Sequence, residues 1–120
     1  MTEPQDIKER TFEFAIQVVA LCRELEHVSG GAGTFADLLL RCGASIGAHV
    51  EDAHGNHGKS EFINKMSTAT QAARETKYWL RLAAAAELIP RSRLTDLMDE
   101  SSQLIAILTT IVKRSRETLS

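Results

Sequence analysis

Largely apolar residues recur along this chain at alternating steps of three and four, in four blocks separated by three short breaks. That spacing sets each block on one stripe of an α-helix and excludes a strand, whose faces alternate every second residue. Ile7, Thr11, Phe14, Val18, Leu21, Leu25 and Val28 form the first stripe. It predicts a helix over about residues 4–28, with Pro4 in the first turn and Glu3 and Asp6 at the positive end of the dipole. The glycines of Ser29-Gly-Gly-Ala-Gly33 end it. Phe35, Leu39, Cys42, Ile46, Val50 and Ala53 predict a second helix over about residues 34–54, capped by Thr34 with Asp37 as the acidic half of a capping box.

After the break His54-Gly-Asn-His-Gly58, Phe62, Met66, Ala69, Ala73, Thr76, Leu80 and Ala83 or Ala84 mark a third helix. It spans about residues 60–88, with Ser60 as cap and Pro90 as stop. A fourth, over about residues 92–117 and capped by Ser92, carries Leu94, Leu97, Met98, Ser101, Leu104, Ile105, Leu108, Ile111 and Val112. Inside the second helix Gly43 and Gly47 each cost about 1 kcal/mol relative to alanine, for which close approach by another backbone is the expected compensation. Short connections between long helices make antiparallel neighbours, and 120 residues suffice for one core. The expected fold is all-α, a single up-down-up-down antiparallel four-helix bundle.

Apolar residues remain after the four seams are drawn. Phe12, Ile16 and Val19 lie roughly opposite the first seam, and Trp79, Leu82 and Ala86 lie away from the third. A bundle buries one stripe per helix, so the surplus predicts apolar patches covered by another copy. Phe12, Ile16, Val19, Trp79 and Leu82 are therefore the expected oligomer interface.

The net charge of −2 and pI of about 6.1 argue against a dedicated nucleic-acid binder, which draws affinity from a basic excess. A local basic surface survives inside that total: Lys65, Lys77 and Arg81 on the third helix, and Lys113, Arg114 and Arg116 near the end of the fourth. The opening residues are polar and acidic, and no apolar run reaches the length of a membrane span. A soluble cytoplasmic protein is expected. Cys22 and Cys42 fall on or beside seams and read as small buried hydrophobes in a reducing compartment.

Candidate chemistry is sparse. His49, His54 and His57, with Glu51 and Asp52, are the one cluster of metal-ligand types, but His49 and His54 stand five apart and point in different directions. A solvated turn accounts for them. Gly30-Gly-Ala-Gly33 lacks the lysine and hydroxyl of a phosphate loop and follows no strand, and Ser45 has no histidine and acid in register. No catalytic residue, cofactor, metal or small-molecule substrate is predicted, and a non-enzyme is expected. Arg41, Glu51, Arg74 and Glu75 flank the second and third helices and are expected to form a partly buried ion-pair network that sets their register.

Residues 38–53 (LLLRCGASIGAHVEDA), 61–67 (EFINKMS) and 73–80 (ARETKYWL) resemble the signature of the four-helix-bundle family named for 23S rRNA intervening sequences, as does Phe12-Glu-Phe-Ala-Ile16. The resemblance covers nearly the whole chain. It implies a left-handed up-and-down bundle assembled into a ring-like homo-oligomer, a pentamer, without enzymatic activity. The accessory protein of diversity-generating retroelements, a more distant likeness, binds nucleic acid and is strongly basic, a charge this chain lacks. Family members often carry asparagine where this chain has His49. The function expected is a self-associating scaffold or accessory module; the alternative is an RNA- or DNA-binding accessory protein whose basic patches repeat around the oligomer.

Overall fold

Asp6 opens the first helix by accepting a hydrogen bond from the Lys8 amide at 3.0 Å, satisfying one of the donors that a helix start leaves free. The computed structural model describes residues 6–28, 30–55 and 58–119, so the expected roles of Glu3 and Pro4 lie outside the described residues. Four helices follow in chain order: α1 (Ile7–Leu25), α2 (Ala32–Ala53), α3 (Lys59–Ala85) and α4 (Thr95–Leu119), the last preceded by a 3₁₀ turn at Arg91–Arg93. Among the described residues there is no strand, and no helix is long and apolar enough to cross a membrane.

Several helix boundaries depart from their expected places for local reasons. α1 stops at Leu25, and Val28 is 47% exposed instead of completing the seam. Gly30 and Gly31, at φ of 88° and 90°, turn the chain through a conformation that side-chain-bearing residues avoid. The Gly31 carbonyl then accepts from the Phe35 amide, so α2 starts at Ala32 and Thr34 sits inside the first turn rather than capping it. Gly58 plays the same part for α3, accepting from Phe62, and Ser60 likewise falls within the helix. Ser92 lies in the 3₁₀ turn; α4 begins at Thr95, whose hydroxyl donates to the Arg91 carbonyl at 2.9 Å.

The end of α3 is sharper than expected. The Leu88 amide donates to the Ala83 carbonyl at 3.0 Å and the Glu87 amide to Ala84 at 3.2 Å. These paired bonds form a Schellman closure with Glu87, at φ 59°, in the left-handed position that glycine ordinarily fills. The chain then turns to bury Ile89.

The four seams converge on one core. Phe14, Val18, Leu39, Ile46, Met66, Leu80, Leu104 and Leu108 are almost completely buried, joined by alanines at Ala69, Ala73 and Ala83. Buried hydroxyls at Thr11, Thr70, Thr76 and Ser101 donate to carbonyls three or four residues earlier in their own helices, so none needs a partner across the core. α1 and α2 approach closely at the two glycines: a Cβ on Gly43 would meet Val18 at 3.0 Å, and one on Gly47 would meet the Thr11 carbonyl oxygen at 3.4 Å.

Contacts across the helix pairs lock the arrangement. The Cys22 thiol donates to the Ala36 carbonyl at 3.3 Å, Phe35 meets the edge of Trp79, and Lys65 pairs with Asp52 at 2.6 Å. α1 meets α4 through Arg10, which grips Glu100 with two donors at 2.7 and 2.9 Å, and meets the 3₁₀ turn before α4 through Glu24 with Arg93. The Arg10–Glu100 pair is partly buried, and Glu100 raises the guanidinium's pKa through that hydrogen bond.

Candidate functional site

On the outer face of α1, Phe12, Ile16 and Val19 are 62%, 54% and 41% exposed. Helical geometry forces this: Thr11, Phe14 and Val18 occupy the core side, which leaves residues 12, 16 and 19 facing out. Phe12 and Ala15 line a groove of about 270 Å³ with Ala44, Gly47 and Ala48 of α2, and Lys8 and Glu51 complete its lining. The small residues that let the two helices approach thus also extend an apolar face across both of them.

Trp79 and Leu82, expected on the same interface, are placed differently from each other. Leu82 is exposed at 39%, in line with the expectation. Trp79 is half-buried, packed against the core with its ring edge-on to Phe35 at 5.9 Å. Its position adjoins Leu80 on the flank turned toward α2, and its long side chain reaches back to the core from there. The outward placement of Trp79 is corrected accordingly. Its indole Nε1 is buried without an acceptor, a donor that such a site normally satisfies. Leu38, 36% exposed, is three residues after Phe35 and four before Cys42 on α2, so it shares the flank that meets α3.

The basic residues divide into two groups. Lys77 and Arg81 line one groove between α3 and the start of α4, about 500 Å³, together with Tyr78, Leu82, Ala85, Arg91 and Met98. Lys113 and Arg116 line a second groove of about 450 Å³ further along the same helix pair, with Arg74, Thr70 and Thr109. Lys65 stands apart, held by Asp52, whose hydrogen bond raises the ammonium pKa. Arg114 is exposed and lines neither groove. Sequence reading missed Tyr78 and Arg91 as neighbours of these cations. Tyr78 had a signal, since it lies four residues after Arg74 and three before Arg81 on one helical face.

Arg41, Glu51, Arg74 and Glu75 are all exposed, so the expected burial of that network is not found. The helices are tied instead by Arg10–Glu100, Lys65–Asp52 and Arg93–Glu24. The reason is geometric: the flanks where α2 meets α3 are filled by Phe35, Trp79, Cys42 and Thr76, which leaves no buried place for charge.

The histidines do not converge. His54 sets Nδ1 2.9 Å from the Val50 carbonyl and its ring against Phe62 at 5.3 Å, while Asp52 is engaged by Lys65 and His57 lies outside the described residues. Among the described residues no three histidine, cysteine or carboxylate side chains gather as a metal site. Both cysteines are buried and free, as small core residues. Burial pushes the Cys22 thiol up to about 11, helped by Asp37, and raises that of Cys42 despite a hydrogen bond with Thr76. Neither is a thiolate at neutral pH, so neither is an activated nucleophile.

Residues 3–110 match the family described as 23S rRNA-intervening sequence protein. The chain belongs to that family. Among solved structures it is similar to a crystal structure from Bacteroides thetaiotaomicron, a protein of unknown function from the S23 ribosomal protein family. The two share 32% identity over 90% of this chain and 99% of the other, with a TM-score of 0.82. No curated protein matches the chain. The segments 38–53, 61–67 and 73–80, on which the resemblance to the 23S rRNA-intervening sequence family was read, build most of α2 and α3, including the glycine contact with α1 and the Trp79 flank.

Proposed function

We propose that this member of the 23S rRNA-intervening sequence family is a non-enzymatic cytoplasmic scaffold, a left-handed up-down-up-down antiparallel bundle that works as a ring-like homo-oligomer, a pentamer. The observation that carries the reading is the row Phe12, Ile16 and Val19, all exposed beside the alanine-lined groove of α1 and α2. Covering such side chains is worth about 1 kcal/mol each when they start roughly half exposed.

The antiparallel reading is supported by contact order. Thr11, Val18 and Cys22 meet Gly47, Gly43 and Ala36 in descending sequence, and Arg10 and Glu24 meet Glu100 and Arg93 in the same sense. The ring reading is supported by two exposed apolar regions on different parts of the surface, the α1–α2 face with Phe12, Ile16 and Val19, and Leu38 of α2 with Leu82 of α3. A face that docks on a different face of the next copy makes a head-to-tail contact, which generates a ring where the rotation between copies closes and an open filament where it does not.

Replacing Ile16 and Val19 by aspartate tests the interface, since both are exposed and their loss leaves the core intact. Size-exclusion chromatography with light scattering is expected to show a folded monomer for the double variant and a larger species for the parent. A double variant with the parent's mass would refute the assignment of these residues. Trp79 is unsuitable for this test because its substitution damages the core packing against Phe35.

A further inference from the structure

We propose that the groove between α3 and α4 binds single-stranded nucleic acid, with Arg74, Lys77, Arg81, Arg91 and Lys113 on its phosphates and Tyr78 stacked on a base. The chain as a whole carries 14 lysines and arginines against 16 aspartates and glutamates. The two grooves along this helix pair invert that balance, with six basic side chains in their linings and Glu117 as the one carboxylate. Arg116 and Glu117 each have a partner already, and the proposal does not draw on them. Arg10, Lys65 and Arg93 hold the helix-to-helix ion pairs, and among the described residues none of the five proposed cations does.

The layout favours a flexible strand over a compact anion. Arg74, Lys77 and Arg81 follow one another at steps of three and four on one face of α3, and Lys113 and Arg91 stand at opposite ends of the neighbouring grooves. From Ser67 to Ala85 the lined part of α3 extends about 27 Å at 1.5 Å per residue, the reach of several nucleotides. Hydroxyls of Ser67 and Thr109 add donors at one end.

Tyr78 separates this ligand from an acidic peptide. Its ring is 55% exposed among the cations and is braced edge-on by Trp79 at 5.3 Å. An exposed aromatic side chain between basic ones is the platform on which unpaired bases stack, and a duplex hides those faces. The groove follows the α3–α4 flank, away from the apolar α1–α2 face, so the inference does not depend on self-association; Leu82 alone lies on the rim of this groove and in the proposed apolar contact.

Fluorescence anisotropy of the full chain with a labelled twenty-nucleotide oligouridylate or oligothymidylate tests it, against a duplex of the same length and against polyglutamate. Binding tighter to either single strand than to both competitors is expected. It should weaken about a hundredfold between 50 and 200 mM salt if five phosphates are contacted. Tyr78→Ala is expected to weaken it about tenfold, Tyr78→Phe to retain it, Arg74→Glu with Arg81→Glu to abolish it, and Arg41→Ala, elsewhere on the surface, to leave it unchanged. Absence of binding at 50 mM salt, equal affinity for the duplex or polyglutamate, or an unchanged Tyr78→Ala would each overturn the proposal.

Discussion

Val18 sets its two γ-carbons 3.0 and 3.1 Å from the position a Cβ would take on Gly43. One turn further, Gly47 has 3.4 Å of clearance to the Thr11 backbone, an ordinary contact distance. The two glycines therefore differ in what an added methyl group would do. Gly43→Ala gains about 1 kcal/mol of helix propensity but forces the β-branched, rotamer-restricted Val18 to move, at about 1–3 kcal/mol. Its expected net effect in urea unfolding is a loss of about 1 kcal/mol, whereas Gly47→Ala is expected to be neutral or stabilising by up to about 1 kcal/mol. A Gly43→Ala variant more stable than Gly47→Ala would contradict this packing.

Glu87 bears a left-handed backbone without the freedom of glycine. The surrounding closure already has both of its hydrogen bonds, so a substitution there changes backbone strain and little else. Glu87→Gly is expected to raise stability by about 0.5–1 kcal/mol, the relief of strain less the extra entropy of glycine in the unfolded chain. Thermal unfolding checks it, and a lowered melting temperature would argue against the closure.

The cysteines make stability depend on alkaline pH. Folding lifts the Cys22 thiol from its ordinary value of 9.0 to about 11 through burial, so above about 9 the unfolded chain sheds a proton that the folded chain keeps. The stabilisation is complete below the unfolded pKa and is lost as pH rises toward the folded one. Unfolding free energy is thus expected to fall between pH 9 and 11, and to fall less in Cys22→Ala. At pH 8 a thiol reagent should label both cysteines only after denaturation. Rapid labelling of the native protein would show that these thiols are not buried.

Much of the fold was legible because burial imposes a period that the residues display. Every member of the second seam, from Phe35 to Ala53, is buried, as are Met66, Ala73, Leu80, Leu104 and Leu108. Helix starts were less legible because the turn glycines Gly31 and Gly58 take the N-cap positions, which places Thr34 and Ser60 inside the first turns, where they cap nothing. Glu87 in a glycine's conformation leaves no trace in composition at all. The exposure of Phe12, Ile16 and Val19 was legible by counting around a helix, a one-helix calculation. Trp79 was misplaced because its burial depends on Phe35 from another helix. Arg10 with Glu100, ninety residues apart, and the meeting of Arg91 with Lys77 and Arg81 depend on tertiary pairing that no local pattern carries.

Sedimentation equilibrium of the unmodified chain tests the central claim, that this bundle works as an assembly. At tens of micromolar the account predicts a mass several times 13.2 kDa, fitting a single closed species at five times that value. A mass of one chain across the whole concentration range would contradict it.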